Sequence, residues 1–471
     1  TKKIRIIGSV EELKEWAVIP NKVAELKDLH REFLDEIEVW IDDEKTIKGK
    51  RIPEVFDCWV ESGSMPFASI HYPFESKEKF EKNYPAQFIS EYIAQTRAWF
   101  YTLHVLSVGL FDKPAFQNAV ATGTILAEDG SKMSKSKKNY PDPLILINKY
   151  GVDSLRLYLM SSPLMKADDL NFNEKYVAEI KKKVFLIWWN IFTFYQLYAN
   201  KNHECELPEV EGIKDVMDRW VVSRIENLTK TVSASMDNYD VVTASRMIMD
   251  FVNELSTKYV RESRDRIRDQ KNNSQTSTVF GAVLKRLCLI ASPITPFFTE
   301  LLYQNLLKKP EDSIHLEDWP QWNEKSIDEA LENEMDFIFQ IAEKAHSIRK
   351  EKRIKVRQPL SELAVKSAKK ISDEVSEVLK QEINVENIKW VRRDKLGFEI
   401  ELDTEITEDL KRKGDMRETI RTIQDLRKLA NVKFDKLVAI QLPDWPKEYE
   451  DEIKTKTYVS RIVRGNEAKL I

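Results

Sequence analysis

The sequence predicts a layered α/β domain, then an all-α helical bundle, then a small C-terminal α+β domain. Short apolar runs alternate with helical patterns over residues 1–119, which is typical of layered α/β structure. Residues 173–350 show long stretches with apolar residues at helical spacing, and residues 351–471 return to mixed patterns. A length of 471 residues suggests about three domains, and 42% hydrophobic residues can fill large cores.

The first zone, residues 1–119, is predicted to contain a strand at Ile4–Ile7 and helical segments at Val10–Trp16 and Gln87–Leu110. In the second zone, residues 120–172, a strand is expected over 120–126 and leads into a lysine-rich loop. A helix that begins near Asp142 and Pro143 and a second helix after Gly151 complete this zone.

The third zone, residues 173–350, is predicted to be helical, with breaks at Pro208, at the polar run 271–274, and around Pro293 and Pro296. The last zone, residues 351–471, is predicted to place three strands around one long helix. These elements are strands Leu363–Lys366, Phe398–Leu402 and Leu437–Leu442, and helix Glu408–Ala430. No internal repeat and no low-complexity tract is predicted.

Charge and cysteine content narrow the class of protein. A net charge of −4 argues against nucleic-acid binding by bulk charge, so any RNA contact must come from local basic patches. Cys58, Cys205 and Cys288 form no Cys-x-x-Cys pair, so neither a disulfide framework nor a zinc ribbon is expected. The most apolar stretch, 184–198, is too short and too aromatic to span a membrane, and the first residues lack a secretion signal. A cytoplasmic protein is expected.

The lysine-rich loop is the most informative motif. Residues 132–136 read Lys-Met-Ser-Lys-Ser and follow an Asp129-Gly130 turn. Two lysines and two hydroxyl groups suit a leaving group with several negative charges, such as pyrophosphate expelled from ATP. Taken alone, a solvated basic loop is the alternative interpretation.

Further motifs flank this loop in a fixed order. They are residues 55–66 (Val-Phe-Asp-Cys-Trp-Val-Glu-Ser-Gly-Ser-Met-Pro), 84–86, 91–100, 139–143, 150–156, 355–360 and 421–428. Together with the loop, this order resembles the isoleucyl-tRNA synthetases, which are class I aminoacyl-tRNA synthetases. The resemblance covers nearly the whole chain.

The resemblance implies a function for each zone. Residues 1–119 would be the second half of a Rossmann-type catalytic domain, and residues 120–172 the KMSKS loop with a region that contacts the tRNA stem. Residues 173–350 would form the anticodon-binding bundle, and residues 351–471 a tRNA-contact domain. The reaction implied is ATP-dependent attachment of isoleucine to tRNA(Ile) through an isoleucyl-adenylate, with ATP bound as its Mg²⁺ complex.

Site residues follow from the same resemblance. Lys132 and Lys135 would be catalytic, and the ATP-binding set would be Lys132, Met133, Ser134, Lys135 and Ser136. Met133 would anchor the loop. The aminoacyl-adenylate would be held by Trp59, Glu91, Gln95 and Trp99. The two tryptophans offer broad apolar surfaces to isoleucine, and Glu91 and Gln95 are expected one helical turn apart on one face.

Three residues within this site depart from the family pattern. The family usually has glycine at Tyr92, aspartate at Ala94 and glycine at Ala98. These departures remove a carboxylate and add bulk where the adenylate would lie.

Two basic patches are candidates for tRNA contact. The candidate residues are Arg261, Arg264 and Arg268, which are predicted on one helical face, and Arg349, Lys350, Arg353 and Arg357. A solvated helix face with ion pairs is the alternative for each patch.

Two elements of the family have no counterpart in this sequence. No His-x-Gly-His motif and no inserted editing domain is found, so the sequence predicts a fragment or one half of a split enzyme, with a separate or missing N-terminal half as a partner. Some family members carry zinc-binding cysteine clusters, and no such cluster is present here. A non-catalytic tRNA-binding remnant and a valyl- or leucyl-type synthetase are the alternatives.

Overall fold

The computed structural model describes residues 3–55, 58–134, 139–198, 205–269, 272–307, 312–369, 371–393, 397–433 and 436–471. The chain separates into two units, Thr1–Thr122 and Gly123–Ile471. The finer division predicted at residues 172 and 350 stays a prediction.

The first unit is built around a pair of parallel strands. Its helices are α1 Val10–Trp16, α2 Pro20–Ala24, α3 Arg31–Leu34, α4 Cys58–Gly63, α5 Met65–Ala68, α6 Lys77–Asn83 and α7 Trp99–Phe111, and its strands are β1 Glu38–Trp40, β2 Lys48–Lys50, β3 Ala86–Tyr92 and β4 Phe116–Thr122. Strands β3 and β4 are parallel and joined through α7, whereas β1 and β2 form a separate antiparallel pair. A strand–helix–strand crossover is therefore the centre of this unit.

Local sequence signals predicted some of these elements and missed others. Helix α1 has its predicted bounds, and the Ser9 hydroxyl accepts a hydrogen bond from the Glu12 amide at its N-terminus. The predicted strand at 4–7 is wrong. Ile4 and Ile6 are 74% and 86% exposed, and no described strand pairs with this segment. The helical segment predicted from Gln87 is also wrong at its start, since β3 occupies 86–92.

The second unit begins with a short connection that carries the loop. Its elements are β5 Ile125–Leu126, α8 Pro143–Tyr150, α9 Val152–Met160 and β6 Leu170–Asn171, with β5 and β6 parallel. Helices α8 and α9 are confirmed where the sequence predicted them. The Asp142 carboxylate caps α8 by accepting from the Leu144 amide at 2.8 Å.

A helical bundle follows and contains most of the buried apolar residues. Its helices are α10 Glu174–Ile180, α11 Leu186–Tyr198, α12 Val216–Asp237, α13 Val241–Glu254, α14 Arg264–Arg268, α15 Ser274–Ala291, α16 Pro296–Leu307 and α17 Glu329–Glu351. Two π-helical turns, Lys181–Phe185 and Leu255–Val260, join α10 to α11 and extend α13. Trp188, Trp220, Ile225 and Phe280 are at most 1% exposed, so the centre of the bundle is fully dry.

The remaining residues form two small sheets. The elements are β7 Leu360–Ser367, α18 Asp373–Ile383, β8 Val385–Arg392, β9 Phe398–Leu402, α19 Glu408–Leu429, β10 Val438–Leu442, α20 Glu450–Thr457, β11 Val459–Arg464 and β12 Lys469–Leu470. The strand order is β8-β7-β9 in one sheet and β11-β10-β12 in the other. The three predicted strands and the long helix are confirmed within a few residues, and the sequence missed α18, β8, α20, β11 and β12.

Gly123 explains why the strand predicted over 120–126 is interrupted. A Cβ atom at Gly123 would lie 1.8 Å from the backbone oxygen of Asp168, so no side chain fits there. The Gly123 amide instead donates to the carbonyl of Leu164 at 2.8 Å. Only glycine therefore fits at position 123.

Gly123→Ala is expected to lower the free energy of unfolding by at least about 1–3 kcal/mol, because the clash is with rigid backbone. Urea unfolding of the variant beside Gly212→Ala measures this, since a Cβ at Gly212 meets nothing within 4 Å. Equal midpoints for the two variants would contradict the steric argument.

Candidate functional site

The carboxyl ends of β3 and β4 form one edge of the first unit. Tyr92 and Thr122 are paired at this end, and Glu91 lies one residue before it. In open parallel sheets, ligands bind just beyond the carboxyl ends of the strands. Glu91 is therefore on the edge where a ligand is expected.

Glu91 and Gln95 do not lie on one helix face, contrary to the prediction. Glu91 belongs to β3, and Gln95 lies in the 3₁₀ turn Ile93–Arg97 that follows it. The Glu91 carboxylate accepts from the Tyr92 amide at 3.1 Å, and its side chain is otherwise exposed. The two residues therefore lie at a strand end and in the turn that follows it.

Gln95 has a structural task at the start of α7. Its side-chain oxygen accepts a hydrogen bond from the Trp99 amide at 3.0 Å and so caps the helix. A ligand at this edge can use the Gln95 amide nitrogen as a donor, whereas the oxygen already accepts one hydrogen bond.

Trp99 joins α7 to α4, the helix that carries Trp59. The Trp99 indole N–H donates to the carbonyl of Ser62 at 3.1 Å. Gly63 permits this close approach, since a Cβ there would lie 2.8 Å from the Thr102 side chain. Trp59 is 38% exposed and Trp99 is half-buried. Both tryptophans thus sit on packed, adjoining helices.

The three residues that depart from the family pattern surround the same turn. Tyr92 ends β3 and is 42% exposed, and Ala94 lies within the 3₁₀ turn. Ala98 precedes α7 directly. All three lie within the segment that joins the strand end to the helix.

The lysine-rich loop belongs to the second unit and starts from a tight hairpin. Lys132 forms an antiparallel bridge with Leu126, and Gly130 adopts φ +79°, which favours glycine. Lys132 is exposed, whereas Met133 packs against the large core, as an anchor should. Lys135 and Ser136 lie outside the described residues.

Asn139 closes this loop, a role that the sequence did not suggest. Its amide oxygen accepts from the Ser134 backbone N–H at 3.0 Å. Its amide nitrogen donates to the Ser131 hydroxyl at 3.0 Å and to the Lys132 carbonyl at 3.1 Å. One side chain therefore ties the two ends of the loop together and sets where Lys132 emerges.

Neither a metal site nor a membrane-spanning helix is found among the described residues. No group of three or more histidine, cysteine or acidic side chains within the described residues could hold a metal ion. Cys58 is exposed, Cys205 and Cys288 are buried, and none of the three is in a disulfide. Among the described helices, none has the length and apolarity to cross a membrane.

Comparison with known proteins identifies the family. Residues 2–173 match the family of class I tRNA synthetases (I, L, M and V), and residues 218–365 match the anticodon-binding domain of tRNA ligases. Residues 2–173 thus belong to the class I tRNA synthetase family, and residues 218–365 to the anticodon-binding domains of tRNA ligases. The two matched segments lie in the first unit with the loop region and in the helical bundle with the start of the next sheet.

Isoleucine–tRNA ligases are among the curated proteins to which this chain is similar. That of Protochlamydia amoebophila (strain UWE25) is 43% identical over 403 residues, which cover 83% of this chain and 38% of the relative. The probable cytoplasmic isoleucine–tRNA ligase of Dictyostelium discoideum is 37% identical over 409 residues, which cover 82% of this chain and 37% of the relative. This chain thus spans less than two fifths of the length of these relatives.

A solved structure gives a likeness of fold alone. The LeuRS–tRNA–LeuAMS ternary complex of Agrobacterium radiobacter K84 matches with a TM-score of 0.50 at 18% identity. The match covers 63% of this synthetase chain and 37% of that chain.

The three arginines of the first basic patch have different contact partners. Arg261 forms an ion pair with Glu382 and donates a hydrogen bond to the Glu262 carboxyl at 3.2 Å. Arg264 and Arg268 lie instead over the ring of Phe194 on α11, at 5.9 and 6.0 Å from its centre. Arg261 therefore faces α18, whereas the other two face α11.

In the second patch, Arg349 is buried rather than exposed to RNA. It is 1% exposed, and its guanidinium donates to four backbone carbonyls, those of Lys355, Gln358, Ile383 and Asn384. The prediction that Arg349 contacts tRNA is corrected accordingly, because a phosphate cannot reach this group.

Lys350, Arg353 and Arg357 remain exposed around Arg349. Arg357 lies 3.7 Å from the Glu418 carboxylate, so part of its charge is already neutralised. Lys350 and Arg353 are the more open cations of this patch.

A buried cluster joins the bundle to the first of the two sheets. Glu262 and Glu382 share a hydrogen bond, and Glu382 also pairs with Arg261 and with His346, at 3.1 Å from Nε2. Burial first, and then the neighbouring Glu382, raises the pKa of Glu262 to about 8. Burial opposes ionisation of Glu382 too, but hydrogen bonds from His346 and Glu262 and the Arg261 charge hold its pKa below its usual range. Glu262 therefore keeps its proton at neutral pH.

Glu262→Gln is expected to remove a pH dependence of stability. Between pH 4.5 and 8 the folded chain holds a proton on Glu262 that the unfolded chain has lost, so wild-type stability falls as pH rises through this window. The variant should be more stable than wild type at pH 8 by roughly 1–3 kcal/mol. Urea unfolding at pH 5, 6, 7 and 8 measures the slope.

Glu343→Gln, at an exposed position of α17, is the matched control and should leave the slope unchanged. A Glu262→Gln slope equal to that of wild type would show that this carboxyl ionises normally in the folded chain.

Proposed function

We propose that this chain is the portion of an isoleucine–tRNA ligase that carries the KMSKS loop, part of the amino-acid pocket and the tRNA-binding bundle. The observation that carries this proposal is the isoleucine-type Trp59 and Trp99 pair on packed helices, at about 40% identity to isoleucine–tRNA ligases. The enzyme attaches isoleucine to tRNA(Ile) at the expense of ATP, in the cytoplasm.

The reaction has two steps. The isoleucine carboxylate attacks the α-phosphorus of ATP bound with Mg²⁺, the bond to the β-phosphate oxygen breaks, and pyrophosphate leaves. The terminal ribose hydroxyl of tRNA then attacks the carbonyl carbon of the adenylate, and AMP leaves. Negative charge accumulates on pyrophosphate in the first step, so cations beside it lower the barrier.

The loop supplies those cations. Lys132 is exposed at the hairpin, and Met133 anchors the loop to the core. Lys135 is assigned direct phosphate contact, with Ser134 and Ser136 as further donors. Because Asn139 ties Ser131, Lys132 and Ser134 together, we assign it the role of a positioning residue for Lys132.

The amino-acid pocket is assigned to the edge of β3. Trp59 and Trp99 give the branched side chain of isoleucine a broad, rigid, apolar surface. Glu91 accepts hydrogen bonds at the strand end, and Gln95 donates through its amide nitrogen.

The catalytic domain is proposed to be completed by a further half of the Rossmann-type fold. Two parallel strands are few for such a sheet, and α7 leaves one apolar face uncovered in its unit. Tyr101, Val105 and Val108 follow helical spacing on this face and are 44–62% exposed. An N-terminal half of the enzyme would cover them.

The tRNA is assigned to the second unit. Residues 120–172 would contact its stem, 173–350 its anticodon arm, and 351–471 would add further contacts. Lys350, Arg353, Arg264 and Arg268 are the cations proposed to contact phosphates, and their loss should weaken tRNA binding without affecting adenylate formation.

Tyr92 favours a second candidate function, a tRNA-binding chain without chemistry. Its ring is 42% exposed at the strand end where the adenylate would lie, and Ala94 supplies no carboxylate beside it. The activation assay separates the two candidates.

Isoleucine-dependent exchange of pyrophosphate into ATP tests the proposal. The chain is mixed with the separately folded N-terminal half of a related enzyme, and isoleucine, valine and leucine are compared. Exchange that requires both halves and is highest with isoleucine is expected. Silence with the two halves bound to each other, together with retained tRNA binding, would favour the second candidate, and a preference for valine or leucine would correct the substrate.

Asn139→Ala is expected to slow this exchange by about 10-fold or more, because the loop loses three hydrogen bonds that place Lys132. The KM for isoleucine should stay unchanged, since the amino-acid pocket is untouched. Asn139→Asp, which keeps the acceptor and loses the donor, should be intermediate. Asn238→Ala is the control, because that amide only donates to Ala234 within its helix. Equal rates for all variants would remove Asn139 from the mechanism.

A further inference from the structure

A hydrogen bond between side chains joins the hairpin of the lysine-rich loop to the first helix of the bundle. The Glu128 carboxylate accepts from the Asn173 amide nitrogen at 2.7 Å. Glu128 lies two residues after β5, and Asn173 directly precedes α10. We call this contact the latch. Because its acceptor is charged, it belongs to the stronger kind of hydrogen bond.

The Asn173 amide is fixed at both of its ends. Its oxygen accepts from the Lys175 backbone N–H at 2.9 Å, which caps α10. Since the oxygen is turned toward the helix, the nitrogen is turned toward Glu128 and can only donate there. The Asn173 backbone N–H also donates to the Tyr158 hydroxyl at 3.4 Å. Asn173 therefore serves the helix and the hairpin at the same time.

Helix α10 is a firm support for the latch, because neighbouring helices hold its first turn. The Glu174 carboxylate accepts from the Tyr150 hydroxyl at 2.6 Å and from the Lys149 ammonium at 2.7 Å, and both donors end α8. The buried ring of Tyr158 on α9 stacks on that of Tyr176 on α10, with 6.1 Å between the centres. Two helices thus fix the position of the residue that forms the latch.

Helix α9 is held in turn by the rest of the bundle. Asp153 is 5% exposed, and its carboxylate accepts from the Phe298 backbone N–H at 2.6 Å, near the start of α16. The Arg156 guanidinium donates to the carbonyls of Pro293 and Ile294, at 3.1 Å each. The latch therefore connects the hairpin to a rigid frame and not to a single helix.

The backbone pairing beside the latch is short. Strands β5 and β6 pair over two residues each, and the pairing reaches the Phe172 amide, which donates to the Leu126 carbonyl at 2.9 Å. Glu128 lies beyond this point, in the tight turn that is closed by the Gly130 amide on the Ala127 carbonyl. A hairpin that is paired at its base can tilt about that base, so a contact at its tip decides its direction.

Lys132 follows the direction of this hairpin. It lies opposite Leu126, on the side that returns from the turn. Asn139 sets the shape of the loop, because its side chain bonds to Ser131, Lys132 and Ser134. The latch sets a different quantity, which is the direction of the whole hairpin relative to α10.

We propose that Glu128 and Asn173 are positioning residues for the lysine-rich loop, which hold the hairpin against α10 so that Lys132 is aligned with the leaving pyrophosphate. This inference rests on the proposed function, since the pyrophosphate is that of adenylate formation. Both residues act through the direction of the hairpin. A misplacement of about 1 Å can cost up to about 100-fold in rate, so a loosened latch slows activation without changing the amino-acid pocket.

The test exchanges donor and acceptor in the latch. In Asn173→Asp the new carboxylate still caps α10, but it faces Glu128 as a like charge and breaks the latch. Glu128→Gln in the same chain supplies an amide nitrogen that donates to this carboxylate, so the double variant restores the latch with reversed polarity. Asn305→Asp is the matched control, because the Asn305 amide donates to the Leu301 carbonyl within its own helix.

Hydrogen exchange of the hairpin amides, in the full chain without substrates, measures the latch directly. The Ala127 and Gly130 amides should exchange about 5-fold faster in Asn173→Asp and return to within about 2-fold of wild type in the double variant. Asn305→Asp should match wild type. Protection of α10 should be unchanged in all three variants, since the cap is kept in each.

Isoleucine-dependent exchange of pyrophosphate into ATP, with the N-terminal half of a related enzyme added, measures the catalytic consequence. Turnover per folded chain should fall about 10-fold in Asn173→Asp and recover in the double variant. The KM for isoleucine should be the same in every variant. This division between turnover and KM distinguishes a positioning role from a general loss of structure.

Three results would overturn the proposal. They are wild-type protection of the hairpin in Asn173→Asp, a double variant as loose as the single one, and a loosened hairpin with wild-type turnover. Failure of the proposed function looks different, because wild type itself would then be silent in the pyrophosphate exchange. Hydrogen exchange would still show in that case whether the latch holds the hairpin.

Discussion

The buried guanidinium of Arg349 connects the helical bundle to the β8-β7-β9 sheet region that follows it. It lies near the end of α17 and donates to carbonyls of the turn at one side and of the end of α18 at the other. Burial, with a smaller contribution from Arg417, lowers the pKa of Arg349 to about 10, so it is still charged at neutral pH. Hydrogen bonds from a charged donor are worth about 1.5–3 kcal/mol each, and their loss would leave buried carbonyls unsatisfied.

This clamp determines which cations of the patch stay exposed. With Arg349 turned inward, the turn that it holds projects Lys350 and Arg353 outward, and α19 neutralises part of Lys355 and Arg357 through Glu418. A net charge of −4 is therefore compatible with RNA binding, because the fold sorts cations into structural and exposed groups.

The bundle uses buried charge in the same way. Asp218 is fully buried and accepts from the Tyr259 hydroxyl, the Arg266 guanidinium and the Thr276 hydroxyl at 2.8–3.2 Å. Because every one of these groups has a partner, the network fixes α12, α14 and α15 relative to one another without leaving a bare charge inside. The anticodon-binding match falls on this rigid part of the chain.

Local signals in the sequence were sufficient for some elements only. Ser9 and Asp142 cap the N-termini of α1 and α8. Because a capping residue and its partner are neighbours in sequence, these two helix starts could be predicted. Strand β3 was missed because its hydrogen bonds go to β4, beyond α7, while its apolar residues also fit a helix. Arg349 was predicted to contact RNA because it lies in a run of basic residues, and the sequence does not show that carbonyls distant in the chain bury it. Asn139 was missed because its hydrogen-bond partners are backbone and hydroxyl groups that the sequence pattern does not single out.

The site residues show the same division. The order of motifs indicated the family, and comparison with known proteins confirmed it. The roles of Trp59, Glu91, Gln95 and Lys132 stay predictions. The strand end depends on pairing with β4, beyond α7, which residue types alone do not reveal. The Gln95 cap and the Asn139 contacts are local, but other polar residues nearby could have formed them equally well.

Arg427 is likewise buried near the end of α19 and donates to the carbonyls of Lys433 and Tyr458. Amide hydrogen exchange on Arg349→Gln and Arg427→Gln tests most directly the claim that each buried arginine holds the sheet after its helix. Arg349→Gln should lose protection in β7, α18 and β8, and Arg427→Gln in β10, α20 and β11 while β7, α18 and β8 stay protected. Wild-type protection of the corresponding strands in either variant would contradict the claim, and so would loss of protection in β7, α18 and β8 alone in Arg427→Gln.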